Sequence, residues 1–372
     1  MQITGVETLH LRLDAVQQVA NGTQDALVVF VHTDAGIVGV GEADSSPTVV
    51  RAVIEAQSSH SLSHGLASLL VGQDPLEVER LWQRMYDGSI YFGRRGAVIH
   101  ALSALDMALW DIRGRAWGVP VWKLLGGAVR ERVPAYASVL MPDTPEAARL
   151  RAESLRERGF RAAKFGWGPL GRDAELDVEL AAAVREGLGP DAKLMLDIGL
   201  RWDAATAVRM VQSLQPYDPF WIEEPLSPDD YTGYRRLCDA VDTRIAAGEE
   251  ETTRFGFLDL LERGGVDVVQ PDLSRAGGFT ECRRIAQLAA DHGVWCVPHA
   301  FSTPILLAAS LHFVAATPNA PLLEYCEDAS ALGTELCPER FPLGPDGCVG
   351  LPSAPGLGVT LDQETVRRYR VP

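Results

Sequence analysis

The sequence predicts an α/β protein built on a (β/α)8-type barrel, a modified TIM barrel, with an α+β capping domain. Eight short apolar segments alternate with helical segments over about 200 residues, and their starts lie 23 to 31 residues apart. The segments before and after this stretch follow a different pattern. An open doubly wound sheet is the structural alternative, but it rarely needs eight evenly spaced units.

The first 125 residues are predicted to form the capping domain. Short segments with alternating or β-branched residues predict three strands. These lie at 3–13, at 26–33 and just before Glu42. Asp74 and Pro75 occupy the N-cap and first positions of one predicted helix, with Glu77 at its third position. A longer helix is predicted over 97–117.

Residues 126–339 are predicted to form the barrel, and residues 340–372 a tail that returns to the capping domain. The eight predicted strands are 133–139, 161–166, 192–199, 219–225, 243–250, 266–274, 294–300 and 321–325. Residues that typically start or end helices lie between the strands. They are Thr144-Pro145 and Ser227-Pro228 at predicted starts, and Gly159, Gly264 and Gly293 at predicted ends.

The charge composition narrows the class of partner. The chain has 34 lysines and arginines against 50 acidic residues, a formal net charge of −16, which disfavours nucleic acid and acidic membrane surfaces as partners. The first residues lack the basic and apolar regions of a secretory signal, and no apolar run reaches membrane-spanning length. Six cysteines without a CxxC pair are typical of reduced thiols in the cytoplasm, where we expect the protein.

Seven consecutive predicted strands end in an ionisable residue within an otherwise apolar segment. The carboxyl ends of barrel strands carry the catalytic groups of such enzymes. One charged strand end usually marks only the start of a solvated loop, but seven in register predict a functional site. The residues are Lys164, Asp197, Glu223 with Glu224, Glu249 with Glu250, Asp272, His299 and Glu324.

Three of these carboxylates, on adjacent strands, predict a site for one divalent cation. Asp197, Glu223 and Glu249 offer only oxygen ligands, which favours Mg²⁺. No cysteine or histidine accompanies them, which disfavours zinc. Because neighbouring residues of a strand face opposite sides, only one glutamate of each adjacent pair is expected to bind the ion. The alternative is that these carboxylates pair with nearby lysine or arginine.

A carboxylate and a histidine end the sixth and seventh predicted strands. A carboxylate that hydrogen-bonds one imidazole nitrogen orients the ring and raises its basicity, so that the other nitrogen can accept a proton. Asp272 and His299 are therefore predicted to form a catalytic pair, although an isolated histidine is more often structural.

The motifs around these residues resemble the enolase superfamily and, within it, the mandelate racemase subgroup. The resemblance extends over essentially the whole chain, including the long helix of the capping domain and the terminal PGLGV. The matching motifs are AAKFG with Lys164, LMLDIG with Asp197, WIEEP with Glu223, AAGEE with Glu249, VVQPDLSRAGG with Asp272, VPHAF with His299 and PLLEY with Glu324.

The resemblance implies a chemistry and a role for each matched residue. Members of the family remove the proton α to a carboxylate and use Mg²⁺ to stabilise the resulting dianion. The implied metal ligands are Asp197, Glu223 and Glu249. His299 with Asp272 would be the base on one face of the substrate, and Glu324 would bind the substrate carboxylate as a protonated acid. The resemblance also implies a homo-oligomer and an acid-sugar substrate.

Two departures from the family pattern bear on the reaction. Racemases of the subgroup carry Lys-x-Lys on strand two, where the second lysine is the base on the opposite face. Here Lys164 matches the first lysine and Gly166 replaces the second, while the frequent Asp-x-Asn of strand three is Asp197-Ile198-Gly199. With a base on one face only, we predict β-elimination of water to a 2-keto-3-deoxy acid, the reaction of an aldonate or aldarate dehydratase.

Two other interpretations stay open. The runner-up is an isomerase of the same subgroup, either a racemase or epimerase that uses Lys164 or a lactone cycloisomerase. A non-catalytic acid-sugar-binding barrel is more remote, because binding alone needs no histidine–aspartate pair.

Specificity is expected to lie in loops of the capping domain and after the second barrel strand. Candidate substrate-binding residues are Arg94, Trp167 and Arg201. Arg94 would meet a distal carboxylate or polyol, or else be a surface charge. Trp167 would form a wall of the substrate pocket, or else pack against its neighbours.

Overall fold

The capping domain begins with an antiparallel sheet of three strands in the order β1-β2-β3. The computed structural model describes residues 1–371 of the 372-residue chain. The strands are β1 (Ile3–Arg12), β2 (Asp25–Thr33) and β3 (Val38–Ala43). The three strands predicted from the sequence are therefore present.

Five helices follow the sheet, and the longest of them packs directly on β3. They are α1 (Pro47–Glu55), α2 (Leu66–Leu70), α3 (Val78–Gly88), α4 (Ala97–Trp117) and α5 (Val121–Leu124). The α4 helix begins and ends at the predicted residues. A Cβ atom on Gly41 would lie 2.0 Å from the carbonyl oxygen of Ala104, so only glycine allows α4 to approach β3 this closely.

The predicted helix start at Asp74 is wrong. The α3 helix begins at Val78, and the side chain of Asp74 instead accepts the N–H of Leu76 at 3.0 Å in a local turn. Aspartate favours such turns because its carboxylate binds backbone N–H groups two residues further on. The same property makes aspartate a good N-cap, so the residue type alone does not distinguish the two structures.

Eight parallel strands form the barrel, as predicted. They are β4 (Arg132–Leu140), β5 (Ala162–Gly166), β6 (Lys193–Asp197), β7 (Pro219–Glu223), β8 (Ile245–Ala247), β9 (Val268–Val269), β10 (Trp295–Cys296) and β11 (Leu323–Cys326). Hydrogen bonding follows the order β10-β9-β8-β7-β6-β5-β4-β11. The N–H of Cys296 donates to the carbonyl of Asn319 at 2.9 Å, beside the seam between β10 and β11.

Helices alternate with these strands. They are α6 (Pro145–Glu157), α7 (Ala174–Leu188), α8 (Ala204–Leu214), α9 (Tyr231–Cys238), α10 (Thr253–Asp259), α11 (Gly278–Asp291), α12 (Pro304–Ala316) and α13 (Ala331–Glu335). Thr144 is the N-cap of α6, as predicted. The α9 helix begins at Tyr231 after the N-cap Asp230, so the start predicted at Ser227-Pro228 is wrong.

Apolar side chains inside the barrel form a layer that also supports polar groups. Tyr136 and Trp221 pack edge to face, with their ring centroids 5.5 Å apart. The Lys164 ammonium lies 5.8 Å from the centre of the Tyr136 ring, and the indole N–H of Trp221 donates to Glu223 at 3.0 Å. The packed interior therefore fixes the side chains that emerge above it.

The tail contacts both the barrel and the capping domain. Strand β12 (Cys348–Gly350) pairs antiparallel with β4. The last helix, α14 (Gln363–Tyr369), lies beside β1, where the N–H of Val371 donates to the carbonyl of His10 at 2.9 Å. The end of the tail thus reaches the capping domain after its middle has joined the barrel sheet.

Within residues 1–371, no helix is long and apolar enough to cross a membrane. All six cysteines are free thiols. Burial raises the pKa of Cys282 and of Cys326 well above the ordinary thiol range, so both are held in the protonated form.

Candidate active site

The carboxyl ends of the barrel strands surround a cavity of about 230 Å³. Lys164, Asp197, Glu249 and His299 line it. The structure therefore brings residues from four of the predicted strand ends to one opening. Completely buried side chains of the same set, Glu223, Asp272 and Glu324, lie directly behind them.

Three carboxylates form a compact group that can hold a divalent cation. Asp197, Glu223 and Glu249 each offer an oxygen within 4.8 Å of the other two. Burial and the charge of Glu223 raise the pKa of Asp197 well above its usual range. Three buried carboxylates at this spacing repel one another unless positive charge is added. The all-oxygen donor set and this repulsion fit a hard cation.

Glu223 is oriented by three donors. Lys164 Nζ donates to its Oε1, and the side chains of Trp221 and Gln270 donate to its Oε2 at 3.0 and 2.7 Å. The alternative expectation, pairing of the carboxylates with lysine, therefore applies in part to Glu223. Asp197 has no such lysine partner, since its Oδ1 accepts the N–H of Gly199 at 2.9 Å.

Lys164 and Glu324 form a buried ion pair, with Nζ 2.8 Å from Oε1. Burial acts to raise the pKa of Glu324, but the Lys164 and His299 charges lower it to about 2. The backbone N–H of Ala300 also donates to Glu324 at 2.7 Å. The expectation of a protonated Glu324 is therefore not met, because the neighbouring lysine stabilises the carboxylate.

Asp272 and His299 form the hydrogen-bonded pair that the strand ends predict. His299 Nδ1 lies 2.6 Å from Asp272 Oδ2, and the backbone N–H of Ser274 donates to the other oxygen of Asp272 at 2.6 Å. Burial lowers the pKa of His299, but Glu249, Glu324 and Asp272 outweigh it and raise the pKa to about 10. Nε2 stays clear of Asp272 and lies 3.4 Å from Glu249 Oε2.

Among the described residues, the cavity wall at Gly166 carries no side-chain base and leaves no space for one. At Gly166 a Cβ atom would lie 2.7 Å from the Cβ of Asp197 and 2.9 Å from its Oδ2. The position where subgroup racemases carry their second lysine is therefore filled by a candidate metal ligand. The two sides of the cavity differ in chemistry as well as in shape.

The three predicted substrate-binding residues have different positions. Trp167 lines the cavity, against the backbone of Gly199. Arg94 is exposed and is not part of the cavity lining. Arg201 donates to the carbonyl oxygens of Gly168 and Leu170, so it braces the loop behind Trp167 and does not face the cavity.

The candidate metal group takes one glutamate from each adjacent pair, as expected, but strand alternation is not the reason, because the strands end too early. Strand β7 ends at Glu223 and β8 at Ala247. Beyond these ends, Glu224, Glu249 and Glu250 form a second group with carboxylate oxygens within 4.8 Å of one another. Both Glu249 and Glu250 line the cavity.

Sequence reasoning missed two charged residues beside the catalytic pair. Arg275 lies three residues after Asp272, and its Nη2 is 2.7 Å from Oδ2 of Asp44, the residue after β3. Burial and Asp272 raise the pKa of Asp44, and Arg275 acts against them. The position of Arg275 in VVQPDLSRAGG was a signal, whereas nothing local indicated that the capping domain would place Asp44 there.

An eight-stranded barrel with a carboxylate group, a histidine–aspartate pair and a capping domain defines a class of metal-dependent enzymes that act on carboxylates. Residues 8–126 match the family described as mandelate racemase / muconate lactonizing enzyme, N-terminal domain, and residues 146–365 match the one described as enolase C-terminal domain-like. The chain belongs to the enolase superfamily, in its mandelate racemase subgroup.

Relatives in this family carry two kinds of name. D-galactarolactone cycloisomerase of Agrobacterium fabrum is 34% identical, with 100% of both chains covered. D-galactonate dehydratase of Cronobacter sakazakii is 38% identical over 90% of this chain and 88% of the relative. The 3,6-anhydro-D-galactonate cycloisomerase from Zobellia galactanivorans has a TM-score of 0.91 and 32% identity, with 100% of both chains covered.

Proposed function

We propose that this protein is a Mg²⁺-dependent acid-sugar dehydratase that removes the proton α to the substrate carboxylate and eliminates water to give a 2-keto-3-deoxy acid. The asymmetry of the cavity carries the proposal. His299 and Asp272 lie on one side, and on the other Gly166 packs against Asp197. Relatives named D-galactonate dehydratase support the same choice.

Asp197, Glu223 and Glu249 would hold the Mg²⁺ ion. When bound, the ion supplies positive charge beside the substrate carboxylate, where negative charge develops as the α-proton leaves. Trp221 and Gln270 keep Glu223 in place through its second oxygen. Such outer hydrogen bonds orient a metal ligand before the ion arrives.

His299 takes the α-proton through Nε2 as the neutral ring, because a cation held by the three candidate metal ligands would offset the Glu249 charge that raises the pKa of His299. Asp272 accepts the hydrogen bond of Nδ1–H, so in the neutral imidazole the lone pair lies on Nε2, towards the cavity. Ser274 holds Asp272 through a backbone N–H and a hydroxyl. These contacts fix the tautomer and the direction of the base.

The same nitrogen returns the proton to the leaving group. As the C–O bond at the β-carbon breaks, protonated His299 donates to the departing hydroxyl, which leaves as water. The remaining enol then tautomerises to the 2-keto-3-deoxy acid. Among the described residues that line the cavity, His299 is the only histidine, so we expect proton removal and water loss on the same face of the substrate.

Inversion at the α-carbon would need a second base on the opposite face. Lys164 is poorly suited to that role, because its ammonium is paired with Glu223 and Glu324 and its side chain is 4% exposed. The lost lysine position, Gly166, has no room for a side chain. Both observations favour elimination over racemisation.

Lactone cycloisomerisation is the second candidate, supported by the relatives named D-galactarolactone cycloisomerase and 3,6-anhydro-D-galactonate cycloisomerase. It needs the same base. Where the leaving oxygen belongs to a ring, β-elimination opens the ring and releases no water, so the product is an isomer of the substrate. The substrate, more than the base, separates the two reactions.

Product analysis tests the proposal. The protein is incubated with Mg²⁺ and a panel of aldonic acids, aldaric acids and their lactones, and 2-keto-3-deoxy acids are assayed together with product mass. A dehydratase yields a keto acid lighter than its substrate by one water. A keto acid of unchanged mass from a cyclic substrate identifies the cycloisomerase, and epimerised substrate without keto acid would contradict both.

A further inference from the structure

The cations that line the cavity are already engaged in ion pairs. Lys164 is held between Glu223 and Glu324. Arg275 is 18% exposed in its side chain, with Asp44 at 2.7 Å and Glu249 at 3.7 Å. Each of these cations therefore has a carboxylate partner before substrate enters.

The loop between β1 and β2 of the capping domain lines the cavity with Ala20, Asn21 and Gly22, and we call this segment the lid. These three residues add no positive charge to the cavity. The side-chain oxygen Oδ1 of Asn21 accepts the N–H of Thr23 at 2.9 Å, and its side-chain Nδ2 donates to the backbone carbonyl of Asp328 at 2.9 Å. Asn21 thus ties the lid to the loop after β11, and its side chain is used in that contact.

The two arginines among the candidate substrate-binding residues lie elsewhere. Arg94 is on the surface, and Arg201 donates to backbone carbonyls. A substrate bound with one carboxylate at the metal would therefore find no free cation elsewhere among the described residues that line the cavity.

Beside the catalytic pair the cavity presents an acceptor, because Asp44 offers an oxygen within 4.8 Å of side-chain ligand atoms of Asp272 and His299. Asp44 is 8% exposed, and Arg275 donates to its Oδ2. Among the described residues no group donates to its Oδ1, which faces the lid at Gly22. A buried carboxylate oxygen with a free lone pair gains most from a hydroxyl donor and repels a second anion.

We propose that Asp44 is a specificity residue, which binds a substrate hydroxyl beside the catalytic pair and excludes substrates with a second carboxylate. This inference rests on the proposed acid-sugar function and names its substrate class. Aldonates are monoanions and fit this class. An aldarate is a dianion and does not, whereas its lactone keeps one carboxylate and does.

Matched pairs of acids test the inference. An aldonate and the aldarate of the same length and configuration are compared by kcat/KM on the Mg²⁺-loaded protein. The same pair is compared by calorimetric Kd on the Mg²⁺-loaded His299→Asn variant, which binds without turnover. We expect the monoanion to be favoured by about 100-fold or more, as for a like charge placed near a buried carboxylate. Equal values, or preference for the aldarate, would overturn the inference.

Asp44→Asn identifies the residue responsible. The variant keeps an acceptor oxygen but loses the charge, and it releases Arg275, so the preference should fall at least about tenfold through better binding of the aldarate. The control is Asp346→Asn, which breaks the exposed ion pair with Arg132 far from the cavity and should keep the wild-type preference. Thermal melting of both variants checks that they fold.

Failure of this inference can be told apart from failure of the proposed function. Keto acids formed equally well from aldonates and aldarates would leave dehydration intact and remove the role of Asp44. Selective binding of monoanions with no keto acid from any of them would support the role of Asp44 and contradict the proposed dehydration. An unchanged preference in Asp44→Asn would assign the selectivity to another part of the cavity and contradict the proposal for Asp44.

Discussion

The two halves of the barrel mouth are held by different parts of the chain. On the half with the candidate metal ligands, three helices are capped by their own aspartates, which are Asp173 for α7, Asp203 for α8 and Asp230 for α9. The fourth, α10, has no side-chain cap of its own, and Glu281 of the barrel helix α11 accepts the N–H of Arg254 in its first turn at 2.9 Å. On the half with the catalytic pair, α11 begins at Gly278, and its N-cap residue Gly277 provides no side-chain cap.

The capping domain supplies what that half lacks. Asp106 of α4 accepts the N–H of Thr280 in the first turn of α11 at 3.0 Å. Glu42 of β3 accepts the hydroxyls of Ser302 and Thr303 and the N–H of Leu306 at the start of α12. These helices follow the strands that lead to Asp272 and His299.

This difference shows that one half is complete within the barrel and the other depends on the docked capping domain. The metal ligands are supported by barrel strands and by helices whose N-termini are capped from within the barrel. The histidine–aspartate pair lies beside helices that also take acceptors from the capping domain, although Thr303 caps α12 with its own side chain as well. Disturbing the capping domain should therefore affect proton abstraction before it affects metal binding.

The largest expected effect comes from substitution of the base, which should abolish catalysis and leave metal binding intact. His299→Asn should lower kcat by about 10³-fold or more, since a positioned general base contributes that much, and leave Mg²⁺ affinity within about twofold. Steady-state kinetics and magnesium titration measure the two quantities. His292→Asn, at an exposed helix end, is the matched control and should behave as wild type. Activity of His299→Asn within tenfold of wild type would contradict the assignment of His299 as the base.

The next prediction concerns pH and the contact between domains. Burial raises the pKa of Asp106 from 3.8 to about 7, against hydrogen bonds from Thr280. Between these pH values the folded protein holds a proton that the unfolded chain releases, so the free energy of unfolding should fall as pH rises from about 4 to 7.

Asp106→Asn should reduce that fall by up to about 4 kcal/mol, the equivalent of three pKa units. Denaturant unfolding at several pH values measures it. Asp203→Asn is the control from the half with the candidate metal ligands. Because Thr206 lowers the pKa of Asp203, this variant should keep the fall between pH 4 and 7. An identical pH profile for Asp106→Asn and wild type would contradict the assignment.

Removing the other contact should weaken the catalytic half alone. Glu42→Ala leaves the hydroxyl and N–H donors at the start of α12 without their acceptor, which should cost about 3 kcal/mol of unfolding free energy and lower kcat about tenfold. Asp203→Ala should cost only about 1 kcal/mol, as for an exposed N-cap, with kcat unchanged. Equal losses of kcat in the two variants would contradict the difference between the two halves. A loss of Mg²⁺ affinity in Glu42→Ala that exceeds its loss of kcat would contradict it as well.

The smallest effect should appear on the metal side. Gly166→Ala places a methyl group 2.7 Å from the Cβ of Asp197, so the ligand must move, and Mg²⁺ affinity should fall about tenfold. Gly5→Ala, where a Cβ would meet nothing within 4 Å, is the matched control. A calorimetric titration with Mg²⁺ measures the affinity of both variants. Wild-type affinity in Gly166→Ala would show that Asp197 is not a tightly packed ligand.

The barrel and the strand ends could be predicted from the sequence because both depend on short-range patterns. Apolar segments at regular spacing mark strands, and an ionisable residue at each end stands out against them. The sequence also showed that Gly166 replaces the second lysine of strand two. That a side chain there would collide with Asp197 depends on the register of β5 against β6, which the pattern does not contain.

Contacts between distant segments were beyond the sequence. Lys164 is matched to a known motif, but its pairing with Glu324 depends on strands β5 and β11, which lie on either side of β4. The same limit explains the charge state of Glu324, Arg201 turning to backbone carbonyls, and the meeting of Asp44 with Arg275. In each case the partner lies at least 25 residues away, so no local signal existed.

The central claim is that a single base acts on one face of the substrate. The most direct test follows an accepted acid sugar by NMR in D₂O with Mg²⁺, and scores keto-acid formation together with the α-configuration of recovered substrate. The account predicts keto acid with one deuterium at C3 and recovered substrate of unchanged configuration. Accumulation of the inverted, deuterated epimer would contradict it, because inversion requires a second base opposite His299.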